Sequence, residues 1–294
     1  MKSTALESFW QSSPTPRLIV CDLDGTLLND DKQISTYTRD VFKRAQERGM
    51  ILCLASGRAN QMMTLFQEPY LPCDYHIAFN GGTIEDIRQK RVLFQQGMDK
   101  VSATRVLAYA AACQLELTLY SGEKMFFTKG VEKIVNRIEA YEHLAAKNGV
   151  NVKINAVGIG FEEYQEVAKT TDLIKIVVYE EDPVKISQMG DLIANMPQLC
   201  TEATGYGLTG IFDQAVSKKS ALEWLGNHLA MDRSSICSFG DYDNDISLFE
   251  ASGLSVAVDN STDLVKARAS HQTLSNNQDG VAHFIETHFL INQT

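Results

Sequence analysis

Two closely spaced aspartates, Asp22 and Asp24, are the first residues whose types and spacing could do chemistry. They directly follow the apolar run 18–21, and Gly25 and Thr26 complete a D-x-D-G-T pattern. Two carboxylates held this close repel each other unless a cation or a proton lies between them. A simpler alternative is a turn in which both acids bind local amides and face water. The partners that the rest of the chain supplies decide between the two interpretations.

The elements that would position these acids are apolar strands alternating with helices. Besides 18–21, the runs 50–55, 75–79 and 236–239 are apolar and each ends in a small or polar cluster. Uninterrupted apolar runs are typical of strands covered on both faces of a parallel sheet. The alternation predicts an α/β fold with a doubly wound, Rossmann-like parallel sheet. The carboxyl ends of its strands would share one edge, where such sheets bind ligands.

Two helices next to these strands carry clear start signals. Ser35 is the predicted N-cap of a helix that runs to about Arg48, where Gly49 fits the stop. Ser217 precedes a second helix, which begins at Lys218 and runs to about residue 230. A lysine at a helix start beside the strand ends can place an ammonium group among the acids.

The middle of the chain has a different pattern, with paired strands between helices. We therefore predict an inserted α+β cap domain at residues 85–210, with residues 1–84 and 211–294 forming the catalytic core. Residues 1–16, which include Trp10, are expected to be a loosely held N-terminal extension. The stretch 199–212 is predicted to be a hairpin that turns at Gly205 or Gly207.

The polar residues at the strand ends have the types that phosphoryl transfer through an aspartyl phosphate requires. A carboxylate nucleophile must approach a phosphorus, and a hard cation with oxygen ligands neutralises both partners. We expect Asp22 and Asp241 to hold Mg²⁺, Lys218 to stabilise the developing charge, and Asp24 to act as general acid and base. Ser56 and the Gly57 amide, at the start of a helix, are expected to donate to a bound phosphate, and Asn80, Asn244 and Asp245 lie at the same strand ends.

The order of four motifs resembles the haloacid dehalogenase-like phosphohydrolase superfamily. These motifs are DLDGT, SGR, VSKKSAL and GDYDND, and SNNQDGVA with GLSVAV near the end adds to the likeness. The Cof-type sugar-phosphatase group, with a large C2-type cap between the second and third motifs, is the most similar. The resemblance implies a nucleophile at Asp22, an acid/base at Asp24 whose backbone carbonyl also binds the metal, and a metal ligand at Asp241. It also implies phosphate or substrate contacts from Leu23, Ser56, Gly57, Arg58, Lys218 and Asn244, and a supporting acid at Asp245.

The chain departs from the group's pattern at three places. Lys219 stands where a glycine usually follows the third-motif lysine, and Gly210 replaces a glutamate often found late in the cap hairpin. The common V-A-M-G-N-A reads V-A-V-D-N-S, with Asp259 and Asn260 at its centre. These differences concern the substrate preference and remove no catalytic group.

Simpler interpretations remain open for several residues. Asp245 could cap the helix that begins near Asn244, and Ser56 could be an ordinary N-cap. Arg58 could form a surface ion pair instead of contacting a substrate. His76, within an apolar strand, is expected to be a core histidine.

The leading functional interpretation is a Mg²⁺-dependent phosphatase acting on small phosphomonoesters such as sugar phosphates. The alternatives are a phosphomutase of the same superfamily and a phospholigand-binding sensor without turnover. Asp24 favours transfer to water, because dehalogenases and transport ATPases of the superfamily lack an acid at that position. The sequence predicts neither the particular substrate nor the oligomeric state.

Composition limits the partners and the compartment. The net charge is −10 and basic runs are absent, which argues against nucleic acid or an anionic membrane as the main partner. The partner that the resemblance implies is a small phosphorylated metabolite. Cys21, Cys53 and Cys237 lie in apolar runs, so we expect buried thiols in a reducing compartment. Without a recognisable signal peptide or membrane span, a cytoplasmic location is expected. The six scattered histidines argue against a zinc cluster.

Overall fold

The computed structural model describes residues 15–180, 182–203 and 208–291. Most of the predicted extension at 1–16, with Trp10, and the predicted turn at Gly205 or Gly207 lie outside these ranges. The described chain divides into two compact units. The first contains the residues up to Gly57, Phe66–Arg91 and those from Ser217 onward, and the second contains Arg58–Leu65 and Val92–Val216. The domain boundaries expected from the sequence remain a prediction.

The strands are short and follow one another through both units. The described residues form β1 (Leu18–Cys21), β2 (Ile51–Ala55), β3 (Tyr75–Ala78), β4 (Thr83–Asp86), β5 (Arg91–Gln95), β6 (Leu117–Tyr120), β7 (Met125–Thr128), β8 (Ala156–Ile159), β9 (Lys175–Val178), β10 (Leu199–Ala203), β11 (Thr209–Asp213), β12 (Ile236–Gly240), β13 (Leu254–Ala257) and β14 (His271–Gln272).

The α-helices lie between these strands, except the last, which follows β14. Among the described residues they are α1 (Thr36–Glu47), α2 (Asn60–Met63), α3 (Lys100–Ala112), α4 (Glu132–Lys147), α5 (Tyr164–Thr170), α6 (Pro183–Ala194), α7 (Lys218–His228), α8 (Ile246–Glu250), α9 (Asp263–Arg268) and α10 (Gly280–Ile285). A π-helix at Glu286–Ile291 follows α10. Across the described chain, none of the helices has the length and apolarity needed to cross a bilayer.

The larger sheet has the strand order β14-β13-β12-β1-β2-β3-β4-β5. Its six strands from β14 to β3 are parallel, and β4 runs antiparallel to β3. The strand β1 lies between β12 and β2, and all four of its residues are buried. The apolar sequence of β1 therefore reflects cover on both faces. The predicted parallel α/β sheet is confirmed.

Helix starts in the first unit follow the signals in the sequence. Ser35 has an extended backbone, and its hydroxyl accepts the amide of Thr38 at 3.0 Å, so it caps α1 as predicted. The hydroxyl of Ser217 accepts the amide of Ser220 at 3.0 Å and caps α7. Both caps replace hydrogen-bond partners that the first turn of a helix lacks. The start of α7 determines where Lys218 enters the structure.

The second unit has its own mixed sheet, with the order β10-β11-β9-β6-β7-β8. Neighbours in this sheet are antiparallel except β7 and β8, which are parallel. Helices α3, α5 and α6 contribute to its apolar core, which includes Leu107, Tyr164, Ile176 and Ile193. Most of this unit, Val92–Val216, is inserted in the sequence between two parts of the first unit, so the expected α+β insertion is confirmed as part of the fold class.

Candidate active site

The end of β1 places Asp22 at the centre of the larger sheet. Its amide donates to the carbonyl of Phe239 at 3.1 Å, which continues the ladder between β1 and β12, and its side chain is buried. The chain then turns sharply, because the carbonyl of Leu23 accepts the amides of Leu27 at 3.1 Å and Leu28 at 2.8 Å. This turn carries Asp24, whose side chain is about one-third exposed, at 36%.

Gly25 lets this turn approach the end of β12. Its φ is +87°, and a Cβ atom at this position would lie 2.4 Å from Oδ2 of Asp241. An L-amino acid with a side chain would therefore be strained in its backbone and would clash with a carboxylate. Thr26, next in the turn, donates from its hydroxyl to Oδ1 of Asp241 at 2.7 Å. These contacts join two segments that are 215 residues apart in the sequence.

Asp245 organises the loop after β12. Its side chain is fully buried, and its Oδ2 accepts the amides of Asp241 at 2.9 Å and Tyr242 at 3.1 Å. These bonds resemble the capping role considered from the sequence, since Asp245 belongs to the short 3₁₀ helix Asp243–Asp245. The other oxygen, Oδ1, accepts from Nζ of Lys218 at 2.6 Å. Asp245 therefore both orders the loop and holds the lysine.

Lys218 is a buried cation between two acids. Its Nζ donates to Oδ1 of Asp22 and to Oδ1 of Asp245, both at 2.6 Å, and its side chain is 1% exposed. Its helix starts close to the end of β3, because Gly81 has a φ of +111° and a Cβ there would lie 2.2 Å from the carbonyl oxygen of Ser217. The lysine thus reaches the end of β1 from the neighbouring helix, as the sequence predicted.

Three carboxylates near this lysine lie close enough to one another to hold a metal ion. One oxygen from each of Asp22, Asp241 and Asp245 lies within 4.8 Å of the others. An all-oxygen set of anionic donors suits a hard divalent cation such as Mg²⁺. Both oxygens of Asp245 already accept hydrogen bonds from the protein. We infer that Asp22 and Asp241 fit direct coordination better than Asp245 does.

The electrostatics of the cluster also favour a bound cation. Burial raises the pKa of Asp22 well above its ordinary value, against the lowering effect of Lys218, and the other two acids raise it further. Burial likewise raises the pKa of Asp241 to about 6. Burial alone would lower the pKa of Lys218, but the charges of Asp22 and Asp245 outweigh it and raise this pKa above the ordinary value. The ammonium is thus retained, while the acids still carry an electrostatic cost that a divalent cation would relieve.

Other predicted site residues meet at the ends of β2 and β3. Ser56 and Asn80 are buried, and the amide of Asn80 donates to the carbonyl of Ser56 at 2.9 Å. The side-chain amide of Asn244 lies 3.4 Å from Oδ1 of Asn80. A Cβ atom on Gly57 would lie 3.1 Å from the same Asn80 oxygen. Four predicted site residues are therefore neighbours at the ends of β2, β3 and β12, namely Ser56, Gly57, Asn80 and Asn244.

One expectation at Ser56 is wrong. Helix α2 begins only at Asn60, and Ala59 occupies its N-cap position. Ser56 is therefore neither an N-cap nor at the start of a helix. The reason is that Ser56 still belongs to the sheet edge, where its amide donates to the carbonyl of Ile77 at 2.9 Å. Its hydroxyl remains a candidate phosphate ligand on the strand end itself.

Arg58 belongs to the second unit, where it is half-buried. Its contact with a substrate and the alternative of a surface ion pair both remain predictions. Leu23 is fully buried, and its predicted role is restricted to the backbone amide.

Sequence reasoning missed two partners of the site residues. Lys32 forms an ion pair with Asp24, with Nζ 3.2 Å from Oδ1. It adopts a positive φ of 58°, which a lysine rarely does and which no local sequence signal indicated. The bond from Thr26 to Asp241 could have been anticipated, because the threonine of D-x-D-G-T supplies a hydroxyl beside the first strand end. The distance between these segments in the sequence concealed its partner.

Known proteins are similar to this chain in sequence and in fold. A family model described as haloacid dehalogenase-like hydrolase matches residues 19–285. In Bacillus subtilis, a 5-amino-6-(5-phospho-D-ribitylamino)uracil phosphatase is 26% identical over 285 residues, covering 92% of this chain and 97% of its own length. A pyridoxal phosphate phosphatase of Escherichia coli is 24% identical over 280 residues, covering 94% of this chain and 100% of its own.

A solved structure shares the fold along nearly the whole chain. This haloacid dehalogenase-like hydrolase from Bacteroides thetaiotaomicron is 25% identical with a TM-score of 0.79, and the match covers 94% of this chain and 100% of that one. The likeness identified from the four sequence motifs is confirmed.

Proposed function

Because the chain belongs to the haloacid dehalogenase-like hydrolase family, we propose that it hydrolyses small phosphomonoesters with Mg²⁺ through an aspartyl-phosphate intermediate. The observation that carries this proposal is Lys218 bridging Asp22 and Asp245, with an oxygen of Asp241 in the same group of acids. A structural ion pair would need one acid and one base. Three acids around one lysine leave room for a second cation and an anionic substrate.

In the proposed reaction, Asp22 attacks the phosphorus of the substrate and the bond to the leaving oxygen breaks. Asp24 donates a proton to that oxygen and becomes a carboxylate. Asp24 then takes a proton from a water molecule whose oxygen attacks the phosphorus of the aspartyl phosphate. The bond between Asp22 and the phosphorus breaks, which releases inorganic phosphate and regenerates the Asp22 carboxylate. The buried ammonium of Lys218 stabilises the negative charge on the transferring group.

Oxygen ligands for Mg²⁺ would come from the side chains of Asp22 and Asp241 and from the backbone carbonyl of Asp24. Bound there, the ion neutralises phosphate charge next to the nucleophile. Asp245 would act through its bonds to Lys218 and to the backbone after β12. Ser56, Gly57, Asn80 and Asn244, which are neighbours at the ends of β2, β3 and β12, would bind the phosphate and the leaving group.

The relatives support a small phosphorylated metabolite as the substrate. One relative is a phosphatase of a ribitylaminouracil phosphate and another of pyridoxal phosphate. These two compounds share a phosphate ester on a small polar molecule. We propose a substrate of that size, with sugar phosphates as the first class to test.

The experiment measures hydrolysis of p-nitrophenyl phosphate and a panel of phosphorylated metabolites with and without Mg²⁺. Asp22→Asn should abolish activity, since an amide is too weak a nucleophile to form the acyl phosphate. Asp232→Asn is the control, because Asp232 is an exposed carboxylate of the first unit and should leave the rates unchanged. Mass spectrometry of acid-quenched wild-type protein should show one added phosphoryl group that Asp22→Asn lacks.

The same measurements separate the alternatives. A phosphomutase would convert one phosphate ester into its isomer and would need a bisphosphate activator. A sensor would bind phosphorylated ligands without releasing phosphate. If the wild-type protein releases no phosphate from any ester in the presence of Mg²⁺, the proposed function is refuted.

A further inference from the structure

We propose that Asn260 and Asn276 are positioning residues that hold the turn carrying Asp24 in its catalytic orientation; this inference rests on the function proposed above. Both asparagines belong to motifs that the proposed mechanism does not use, V-D-N-S and S-N-N-Q-D-G. They follow Asp24 by 236 and 252 residues in the sequence and bind the turn from opposite ends.

Asn260 holds the first part of the turn. Its Nδ2 donates to the carbonyl of Gly25 at 2.7 Å, the residue directly after Asp24. Gly25 has a φ of +87° and can adopt many other conformations, so its observed geometry depends on such external contacts. A bond to its carbonyl fixes the plane of the peptide that follows and limits the rotation of the turn.

The loop that carries Asn260 is fixed to the strand end that carries Asp241. The amide of Thr262 donates to the carbonyl of Asp241 at 3.2 Å, and the hydroxyl of Ser261 donates to the carbonyl of Gly240 at 3.2 Å. Asn260 therefore positions the turn relative to Asp241. The separation of Asp24 from Asp241 matters for the reaction, because the acid/base and the metal-binding acid must act on the same phosphate.

Asn276 orients Asn260 and holds the last part of the turn. Its backbone amide donates to Oδ1 of Asn260 at 2.9 Å. A backbone N–H can only donate, so Nδ2 of Asn260 must be the atom that faces Gly25. The buried side chain of Asn276 donates to the carbonyl of Leu28 at 3.0 Å and to Oδ1 of Asp30 at 3.2 Å. The turn is thus bound at Gly25 and at Leu28 by two connected amides.

This arrangement should matter most when the leaving oxygen needs a proton. An acid that is displaced by about 1 Å donates its proton poorly to the leaving oxygen, and such displacements cost about 10²-fold in rate. A nitrophenolate departs readily without a proton, whereas an alkoxide does not. Loosening the turn should therefore slow alkyl phosphates more than p-nitrophenyl phosphate.

The test compares Asn260→Leu with wild-type protein. Leucine has nearly the shape of asparagine but cannot donate to Gly25, and Asn260 is exposed, so folding should be preserved. Asn277→Leu is the matched control. Asn277 is an exposed neighbour of Asn276 that bonds to Asp30 at 2.8 and 3.0 Å and makes no bond to Gly25 or Leu28 among those found for the described residues.

The measured quantity is kcat/KM with Mg²⁺ for aryl and alkyl phosphates of increasing leaving-group pKa. Asn260→Leu should lower kcat/KM about 10- to 100-fold for alkyl phosphates and only about 3-fold for p-nitrophenyl phosphate. Asn277→Leu should follow the wild-type dependence. Asn260→Ser, whose shorter side chain cannot span to Gly25, should behave like Asn260→Leu. Agreement between this polar and that apolar replacement would show that the lost bond to Gly25, and not misfolding, lowers kcat/KM.

Each result has one meaning. An equal loss for every leaving group, or no loss in either Asn260 variant, would overturn this inference while leaving the proposed function intact. A wild-type protein that hydrolyses no phosphate ester would overturn the proposed function and the inference together.

Discussion

Replacing Lys218 by methionine tests the electrostatic core of the site without requiring a substrate. The ammonium lies 2.6 Å from oxygens of Asp22 and Asp245, and the three side chains are buried. Methionine keeps the apolar stem and removes only the charge. The acids would then be buried with their main neutralising partner gone.

The expected loss of stability is large for one substitution. Removing one partner from a buried ion pair costs about 3–5 kcal/mol, because the remaining charge is neither paired nor hydrated. For a domain of this size 1 kcal/mol corresponds to about 2–4 °C, so Lys218→Met should lower the melting temperature by about 6–20 °C. The measurement is thermal unfolding in EDTA, followed by circular dichroism.

Lys219→Met is the matched control on the next residue of the same helix. Lys219 pairs with Glu250 at 3.1 Å, and their side chains are 41% and 51% exposed. Such a surface pair contributes about 0–1 kcal/mol, so this variant should melt within a few degrees of wild type. Added Mg²⁺ should stabilise Lys218→Met, because the folded acids bind the ion and the unfolded chain does not. Equal melting temperatures for the two variants in EDTA would refute the proposed convergence of buried charge.

Three further predictions follow from single contacts. Burial lowers the pKa of His76 to about 4, so only the unfolded chain gains a proton at this position as the pH falls below about 6.5. Between pH 7.5 and 5.5 the free energy of unfolding of wild type, measured in urea, should therefore fall by about 1.4 kcal/mol more than that of His76→Gln. Equal losses in the two proteins would contradict this prediction. Gly25→Ala, which brings a Cβ against Asp241, should abolish phosphatase activity, whereas Gly49→Ala, with φ +83° and no atom within 4 Å, should cost only about 1 kcal/mol in thermal unfolding; an active Gly25→Ala would count against the site geometry. Thr26→Val removes the hydroxyl that orients Asp241, so the Mg²⁺ concentration for half-maximal activity should rise about 10-fold, and an unchanged value would show that this bond does not orient the carboxylate.

The positions of the principal acids could be predicted because parallel strands bring their carboxyl ends to one edge. Uninterrupted apolar runs identified β1 and β12, and the residues after them had to meet once those strands were neighbours. The helix start at Lys218 was also readable, since Ser217 is a strong N-cap. Local sequence patterns were therefore sufficient to predict the positions of residues that directly follow a strand or begin a helix.

Contacts between loops could not be predicted in the same way. The bonds of Asn260 to Gly25 and of Thr26 to Asp241 join loops whose conformations depend on each other, and neither loop has a periodic signal. The strand Ala156–Ile159 was also missed. It lies at the edge of its sheet with Val157 exposed, so it lacks the apolar alternation of a covered strand.

The central place of β1 has a consequence for how the protein forms during translation. One neighbour of β1 is β2, which emerges from the ribosome soon afterwards, but the other is β12, paired from Leu18 with Ile236. Until Ile236 is synthesised, one hydrogen-bonding edge of an entirely apolar strand has no native partner. Nascent chains released before that point would therefore expose an aggregation-prone edge, a hazard that chaperones bound to the first unit could relieve.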